Sequence, residues 1–134
     1  MPTPDAETPT VAELIAALDE APDKLHAEST PAANALIDLG IDALPAVIPL
    51  LASPDADTQM RAAYVLEMVT MELFGFRPGQ GWEDFAHEIR WRDFWTAMMV
   101  GTPDEAGEPD AASMVAHWQS WLDHRLRSEA SRAP

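Results

Sequence analysis

The sequence contains no cysteine, which excludes disulfides, thiolate metal sites and nucleophilic thiols. Positive charge is also scarce, because lysine and arginine make up only 8 of the 134 residues and Lys24 is the single lysine. No uninterrupted apolar run approaches the ~18 residues of a membrane span, and residues 1–10 contain neither a basic segment nor an apolar one. These absences predict a soluble, cytoplasmic protein without a signal peptide.

Acidic residues are abundant, and their 23 side chains give the chain a formal net charge of −15. The excess is uneven, because residues 1–60 carry a net charge of −10 and residues 61–134 carry −5. Such a field repels nucleic acid and anionic membranes and attracts basic partners. The same charge is also compatible with a protein that it only keeps soluble. The composition therefore predicts no nucleic-acid partner and no membrane partner, and it leaves the role of the acidity open.

The first half of the chain carries apolar residues at helical spacing and clear signals for helix ends. Proline is tolerated at the start of a helix, and glycine is favoured just after its end. The predicted boundaries are a capping box at Thr10 and Glu13, a start at Thr30-Pro31, an end at Gly40, a cap at Asp42 and a bend at Pro49. These signals predict three short helices before the Ser53-Pro54-Asp55 turn.

The second half predicts three longer helices and no strand, because no segment shows sustained alternation of apolar and polar residues. The predicted elements are a helix over Asp57–Phe74, a loop over Phe76–Gly81, a helix from Trp82 or Glu83 to Val100, a loop over Thr102–Pro109 and a last helix capped by Asp110. The fold class is therefore all-α. We predict one domain over residues 10–128, with disordered tails at residues 1–9 and 129–134.

Residues 32–66 resemble a HEAT-type helical repeat, in which two antiparallel helices are joined by a short turn and followed by an Asp-rich turn. The matching segments are Ala32-Ala33, Leu36, Leu39-Gly40, Ala43–Leu51, Pro54-Asp55, Asp57 and Met60–Ala63, with methionine at position 60 where the family usually has valine. The resemblance implies antiparallel helix pairs stacked on one another, since one pair cannot bury its apolar face alone. It also implies a protein-binding scaffold, because the members that bind DNA display basic concave surfaces.

No segment completes a catalytic, cofactor-binding or metal-binding motif. The segment His87–Trp91 has tryptophan where the helical zinc motif needs its second histidine, and His117 and His124 lie roughly 10 Å apart along one helix. Asp55 and Asp57 begin like a calcium loop but lack the glycine and the glutamate that such a loop requires. We therefore predict a protein that is not an enzyme and that has no cofactor.

The candidate partner-binding residues are Asp38, Asp42, Asp55, Asp57, Trp82 and Trp91. The four aspartates lie near predicted helix ends, and stacked helix pairs would bring alternate turns to one edge as a negative ridge. Helix capping is the alternative account of these aspartates. Trp82 and Trp91 lie near loops or charged residues and are candidate interface anchors, with core packing as the alternative.

These features predict a non-enzymatic module that binds another protein with a basic surface. In its sharpest form it is an immunity protein or inhibitor that covers the working site of a basic toxin, to which electrostatic steering would draw it. The alternative is an accessory or regulatory scaffold domain of a larger assembly, in which the charge serves only solubility.

Overall fold

A computed structural model describes residues 9–100 and 111–132 of the chain. Helices account for most of these residues, which confirms the all-α prediction. The chain divides into two compact units, the first ending at Leu66 and the second beginning at Glu67. Residues 1–8 of the predicted tail over residues 1–9, the Thr102–Pro109 loop and the Asp110 cap lie outside the described residues, and the single domain over residues 10–128 stays a prediction.

The first unit consists of short helical segments and the first half of a long helix. In chain order they are α1 (Val11–Ala16), α2 (Pro31–Leu39), a 3₁₀ turn (Gly40–Ala43), α3 (Leu44–Val47), a second 3₁₀ turn (Ile48–Ala52) and the beginning of α4 (Ala56–Leu73). The helix α1 packs against α2 and α3. The core of this unit comes mainly from the apolar segment between residues 32 and 51 and from α4.

Two of the predicted helix starts, at Thr10 and at Thr30-Pro31, are confirmed in the first unit. The N–H of Glu13 donates to the Thr10 hydroxyl at 3.1 Å, and the Glu13 carboxylate accepts the N–H of Thr10 at 3.2 Å, which completes the capping box. The Thr30 hydroxyl accepts the N–H of Ala33 at 3.0 Å, with Pro31 in the first turn of α2. Gly40 ends α2 with a φ of +69°, a conformation that glycine adopts readily.

The helical segment over Pro31–Ala52 is long and apolar enough, by length and composition alone, to cross a membrane. It is not one continuous α-helix, because Gly40 ends α2 and 3₁₀ turns precede and follow α3. Its second 3₁₀ turn begins one residue before Pro49, where the missing N–H removes a helical hydrogen bond as predicted. Buried residues such as Leu36, Leu44 and Ile48 account for its apolar composition, because they form the core of the first unit.

The predicted cap at Asp42 is wrong. Asp42 lies inside the first 3₁₀ turn, and neither that turn nor α3 begins with a side-chain capping hydrogen bond. The chain passes from α2 through Gly40 directly into the 3₁₀ turn, so Asp42 has helical neighbours on both sides and remains exposed. A cap requires a residue of extended conformation just before the helix, and the chain provides none here.

The second unit contains the end of α4, a β-hairpin and two long helices. The hairpin pairs β1 (Phe76–Arg77) with β2 (Gly81–Trp82), and it is followed by α5 (Phe85–Val100) and α6 (Ala111–Arg132). The helices α5 and α6 pack against each other, and β2 contacts α5. The helix α6 extends past residue 128 to Arg132, so it occupies part of the segment that was predicted as a tail.

The hairpin stands where the sequence predicted a loop. The N–H of Gln80 donates to the carbonyl of Arg77 at 2.9 Å, and Pro78 and Gly79 occupy the two central positions of the turn. Gly79 has a φ of +79°, which is the conformation that a type II turn requires after proline. Strands of two residues show no alternation, so periodicity could not reveal them.

The core of the second unit is a continuous aromatic cluster. Its members are Phe74, Phe76, Trp82, Trp91, Phe94, Trp95, Trp118 and Trp121, whose neighbouring ring centroids lie 4.9 to 5.8 Å apart. Trp118 is fully buried, and Trp95 and Trp121 are half-buried. All five tryptophans of the chain belong to this cluster, so intrinsic tryptophan fluorescence reports on the second unit.

Candidate functional site

Two acidic turns of the first unit meet beside the start of α4. The Thr58 hydroxyl donates to Asp19 Oδ2 at 2.6 Å, and Arg61 Nη1 donates to Asp19 Oδ1 at the same distance. Thr58 and Arg61 lie in the first two turns of α4, directly after Asp55 and Asp57. The turn that follows α1 is therefore fixed against the turn that precedes α4.

We call the exposed carboxylates at this junction the acidic edge: Glu20, Asp23, Asp55 and Asp57. None of the four makes an ion pair with a described residue, whereas Asp19 is paired with Arg61. Unpaired carboxylates on neighbouring turns add their fields, so the acidic edge presents a concentrated negative potential to solvent.

The loop between α1 and α2 is held in place by hydrogen bonds from α4, from the residue before α2 and from within the loop itself. Arg61 Nε donates to the carbonyl of Ala27 at 3.0 Å, and the Thr30 hydroxyl donates to the carbonyl of Leu18 at 2.8 Å. Within the loop, the Asp23 carboxylate accepts the N–H groups of residues 25 and 26 at 2.8 and 3.0 Å. These two donors hold the pKa of Asp23 below its ordinary value, so the acidic edge keeps this charge at neutral pH.

Asp55 and Asp57 have a structural role at the start of α4 as well as a place on the acidic edge. The Asp55 carboxylate accepts the N–H of Asp57 at 2.9 Å, which is the capping contact expected of the residue before a helix. Asp57 lies in the first turn, where the helix dipole favours a negative charge. Both side chains remain exposed, so capping does not remove them from solvent.

Asp38 and Asp42 do not join the acidic edge. Asp38 lies near the C-terminal end of α2, whereas the acidic edge adjoins the N-terminal end at Thr30, about 12 Å away along the helix. Both side chains are exposed, and neither carboxylate makes an ion pair with a described residue. The first and third turns, which alternate along the chain, therefore lie at one end of α2, and the second turn, with Asp38 and Asp42, lies at the other.

The pairing of Asp19 predicts a specific dependence of stability on pH. The hydrogen bonds from Thr58 and then from Arg61 hold the pKa of Asp19 below its ordinary value of 3.8. A carboxyl group with a lowered folded-state pKa stabilises the fold fully above its unfolded-state pKa, and that stability is lost as the pH falls through the folded-state pKa. We therefore expect the free energy of unfolding of Asp19→Asn to fall less steeply than that of the wild type as the pH drops below 3.8. Denaturant midpoints across that pH range would measure it, and parallel curves for the two proteins would contradict it.

Trp91 is buried in the aromatic cluster and is not an exposed anchor. Its side chain is 8% exposed, its ring stacks on Trp95 at 5.6 Å, and its indole N–H donates to the Thr70 hydroxyl at 2.9 Å. A tryptophan with its N–H satisfied inside a core has no free surface for a partner. The structure therefore favours core packing at this position.

Trp82 lies at the edge of the same cluster and is half-buried. Its ring packs between Phe76 at 5.4 Å and Trp91 at 5.8 Å. Trp82 also lines a cavity of about 340 Å³, together with Arg77, Gln80 and Glu83. Trp82 thus keeps some accessible surface, although most of its contacts are with the core.

Polar groups beside this cavity fix the start of α5. The Asp84 carboxylate accepts the backbone N–H of His87 at 2.9 Å and contacts His87 Nδ1 at 2.6 Å. These contacts from His87 hold the pKa of Asp84 below its ordinary value. The His87 ring packs so close to Gly75 that a Cβ there would lie 3.2 Å from it, and Gly75 also has a φ of +109°. The arrangement caps a helix and closes a turn.

Comparison of the chain with protein-family models, with curated proteins and with solved structures finds no match. Within residues 9–100 and 111–132, no three His, Asp or Glu side chains are grouped so that they could hold a metal ion.

Sequence reasoning missed the role of Arg61 and the exposure of two apolar residues on α5. Arg61 was matched to a repeat pattern, but its pairing with Asp19 joins positions 42 residues apart and has no local signal. The sequence predicts the helix that contains Phe85 and Ile89 but not the side of it that faces solvent, and these two side chains are 71% and 41% exposed. Their position relative to Trp91 could have revealed this, because residues on opposite sides of one helix cannot all face the same core.

Proposed function

We propose that the chain is a non-enzymatic protein-binding module and that the acidic edge is its surface for a basic protein. The observation that carries the proposal is the junction of two acidic turns through Asp19, Thr58 and Arg61. That junction concentrates four unpaired carboxylates on a backbone that capping and loop hydrogen bonds hold rigid. A rigid charged surface steers a complementary partner without a cost for ordering it.

We further propose that residues 32–66 form a HEAT-like repeat. Three features support the likeness: the positive φ of Gly40 between the two helical segments, the start of α4 directly after Pro54-Asp55, and the burial of most apolar pattern positions. The buried pattern positions include Ala32, Ala33, Leu36, Ala43, Leu44, Val47, Ile48, Leu51 and Ala62, whereas Leu39 and Met60 are exposed. In such a repeat the turns at one end line up along an edge, and we propose that the acidic edge is part of it.

In its most specific form the proposal is an immunity protein or inhibitor of a basic toxin. Small acidic proteins of this kind associate rapidly because long-range attraction guides the encounter. The net charge of −15 on 134 residues supplies that attraction, and the charge scarcely depends on pH near neutrality because it comes from carboxylates.

The test compares two pairs of substitutions that change the net charge equally. The variant Asp55→Asn/Asp57→Asn alters the acidic edge, and Asp38→Asn/Asp42→Asn alters the other end of α2. Wild-type chain and both variants serve as baits for proteins from extracts of the native cells. We expect a basic protein whose association rate falls about tenfold with the first pair and much less with the second. Association should also slow between about 0.01 M and about 0.15 M ionic strength.

The fold should survive both pairs, because asparagine caps a helix about as well as aspartate. Equal slowing by both pairs would assign the effect to net charge and would reject the acidic edge as the binding surface. If the association rate of the partner depends neither on salt nor on either pair of substitutions, the acidity has no role beyond solubility.

A further inference from the structure

The helix α5 carries apolar side chains on two opposite faces. One face packs in the aromatic cluster through Trp91 and Met98, which are 8% and 4% exposed. The opposite face carries Phe85 and Ile89, which are 71% and 41% exposed. At 100° per residue, Ile89 points about 160° away from Trp91, so this helix cannot bury both faces in one core. The second face is apolar surface without a partner in the described chain.

The exposed face is built on a fixed helix end. Asp84 caps α5 through the N–H of His87, so Phe85 projects from an ordered first turn. Phe85 and Ile89 are four residues apart and adjoin on the helix surface. An exposed aromatic residue beside an aliphatic one is typical of interface anchors, whereas single exposed apolar residues are ordinary.

The charges along this face change sign from one end to the other. Asp84 and Glu88 lie toward the beginning of α5, and Arg92 lies one turn after Glu88 with 67% of its side chain exposed. Glu88 and Arg92 approach to 3.7 Å within the helix. Arg92 would repel a basic partner on this face. An antiparallel second copy would instead place acidic groups against it.

We propose that this face is a homodimer interface in which α5 packs antiparallel on α5 of a second copy, with the two-fold axis passing between residues 88 and 89. Phe85 then lies over Arg92 of the partner subunit, where the ring face can accept the guanidinium. Glu88 approaches the partner's Arg92 across the axis, and the two Ile89 side chains meet near the centre. The pattern is self-complementary, as a two-fold interface must be.

The size of the face sets the expected strength of the dimer. The 16 residues of α5 span about 24 Å. With the axis between residues 88 and 89, residues 85–92 of the two helices overlap over about 12 Å, so the contact buries less than the roughly 1,000 Å² of a stable specific interface. We therefore expect a weak dimer with a dissociation constant of about 100 µM. This interface lies in the second unit and does not depend on the proposed function of the acidic edge.

Sedimentation equilibrium of the full chain tests the proposal at about 0.15 M ionic strength, where the repulsion between two copies of net charge −15 is largely screened. Wild-type protein should be mostly dimeric at about 1 mM, and Phe85→Glu/Ile89→Glu should be monomeric at the same concentration. The control is Leu126→Glu on α6, which changes another apolar side chain, 41% exposed, and should remain dimeric. Far-UV circular dichroism should be unchanged in each variant, because all these side chains are exposed.

A charge exchange tests the antiparallel arrangement. Arg92→Glu alone and Glu88→Arg alone should each weaken the homodimer about tenfold, because like charges then face each other across the axis. A mixture of the two variants should form a heterodimer at least as readily as the wild type dimerises. A monomeric wild type, or a dimer that persists in Phe85→Glu/Ile89→Glu, would overturn the interface. Failure of the mixture to associate would overturn the antiparallel geometry. None of these results bears on the binding of a basic protein to the acidic edge.

Discussion

Replacing Trp118 by alanine is expected to lower the free energy of unfolding by about 3–5 kcal/mol. The side chain is fully buried and contacts three other rings, with centroid distances of 5.8 Å to Phe94, 5.8 Å to Trp95 and 5.6 Å to Trp121. Truncation would leave a large cavity between α5 and α6, and rings on two helices cannot move together to fill it. Guanidinium unfolding followed by the fluorescence of the remaining tryptophans would measure the loss.

Trp118→Phe provides the informative comparison. Trp118 Nε1 is buried and has no hydrogen-bond partner among the described residues, so tryptophan carries an unmet desolvation penalty. Phenylalanine keeps much of the aromatic contact and removes that N–H, so it should lose less than half of what alanine loses. Phe85→Ala, at an exposed position, should change stability by no more than about 0.5 kcal/mol. Equal losses for alanine and phenylalanine at position 118 would show that the indole N–H finds a partner.

The local features of the fold could be predicted from the sequence because each depends on a few neighbouring residues. The capping box at Thr10, the start at Thr30-Pro31 and the end at Gly40 satisfy backbone groups within four residues of themselves. Asp42 has the right residue type for a cap, but the chain enters a 3₁₀ turn before it, and residue type does not encode that path. The hairpin around Pro78 and Gly79 was missed because its strands are two residues long.

The candidate surfaces could be predicted only in part, because they depend on contacts between distant residues. Alternate turns were expected at one edge, and the junction of Asp19 with Thr58 brings the first and third turns together. The sequence could not show that one of those carboxylates, Asp19, is used for an internal ion pair. On α5 the apolar content alone gave no way to separate the buried Trp91 from the exposed Phe85, since only the packing partner decides which face is inside.

Replacing Arg61 by alanine is expected to lower the free energy of unfolding by about 2–4 kcal/mol. The guanidinium joins three segments of the first unit, because it donates from α4 to the carbonyl of Ala27 at 3.0 Å and to Asp19 at 2.6 Å. The Arg61 side chain is only 6% exposed, whereas Asp19 is 43% exposed, so the loss comes mainly from the buried guanidinium, whose packing and two hydrogen bonds disappear together. Thermal or denaturant unfolding followed by far-UV circular dichroism would measure the effect.

The loss in Arg61→Ala should exceed that in Asp19→Asn, because asparagine can still accept from Thr58 and leaves the bond to Ala27 intact. Arg61→Lys should be intermediate, since one ammonium group cannot reach two acceptors with the fixed fork of a guanidinium. Arg90→Ala is the matched control, because Arg90 is exposed and makes no ion pair with a described residue.

A double-mutant cycle between Arg61 and Asp19 should give a coupling energy of about 0.5–3 kcal/mol. A coupling near zero would mean that the two acidic turns hold together without the ion pair, and the rigidity of the acidic edge would then have to come from the loop hydrogen bonds alone.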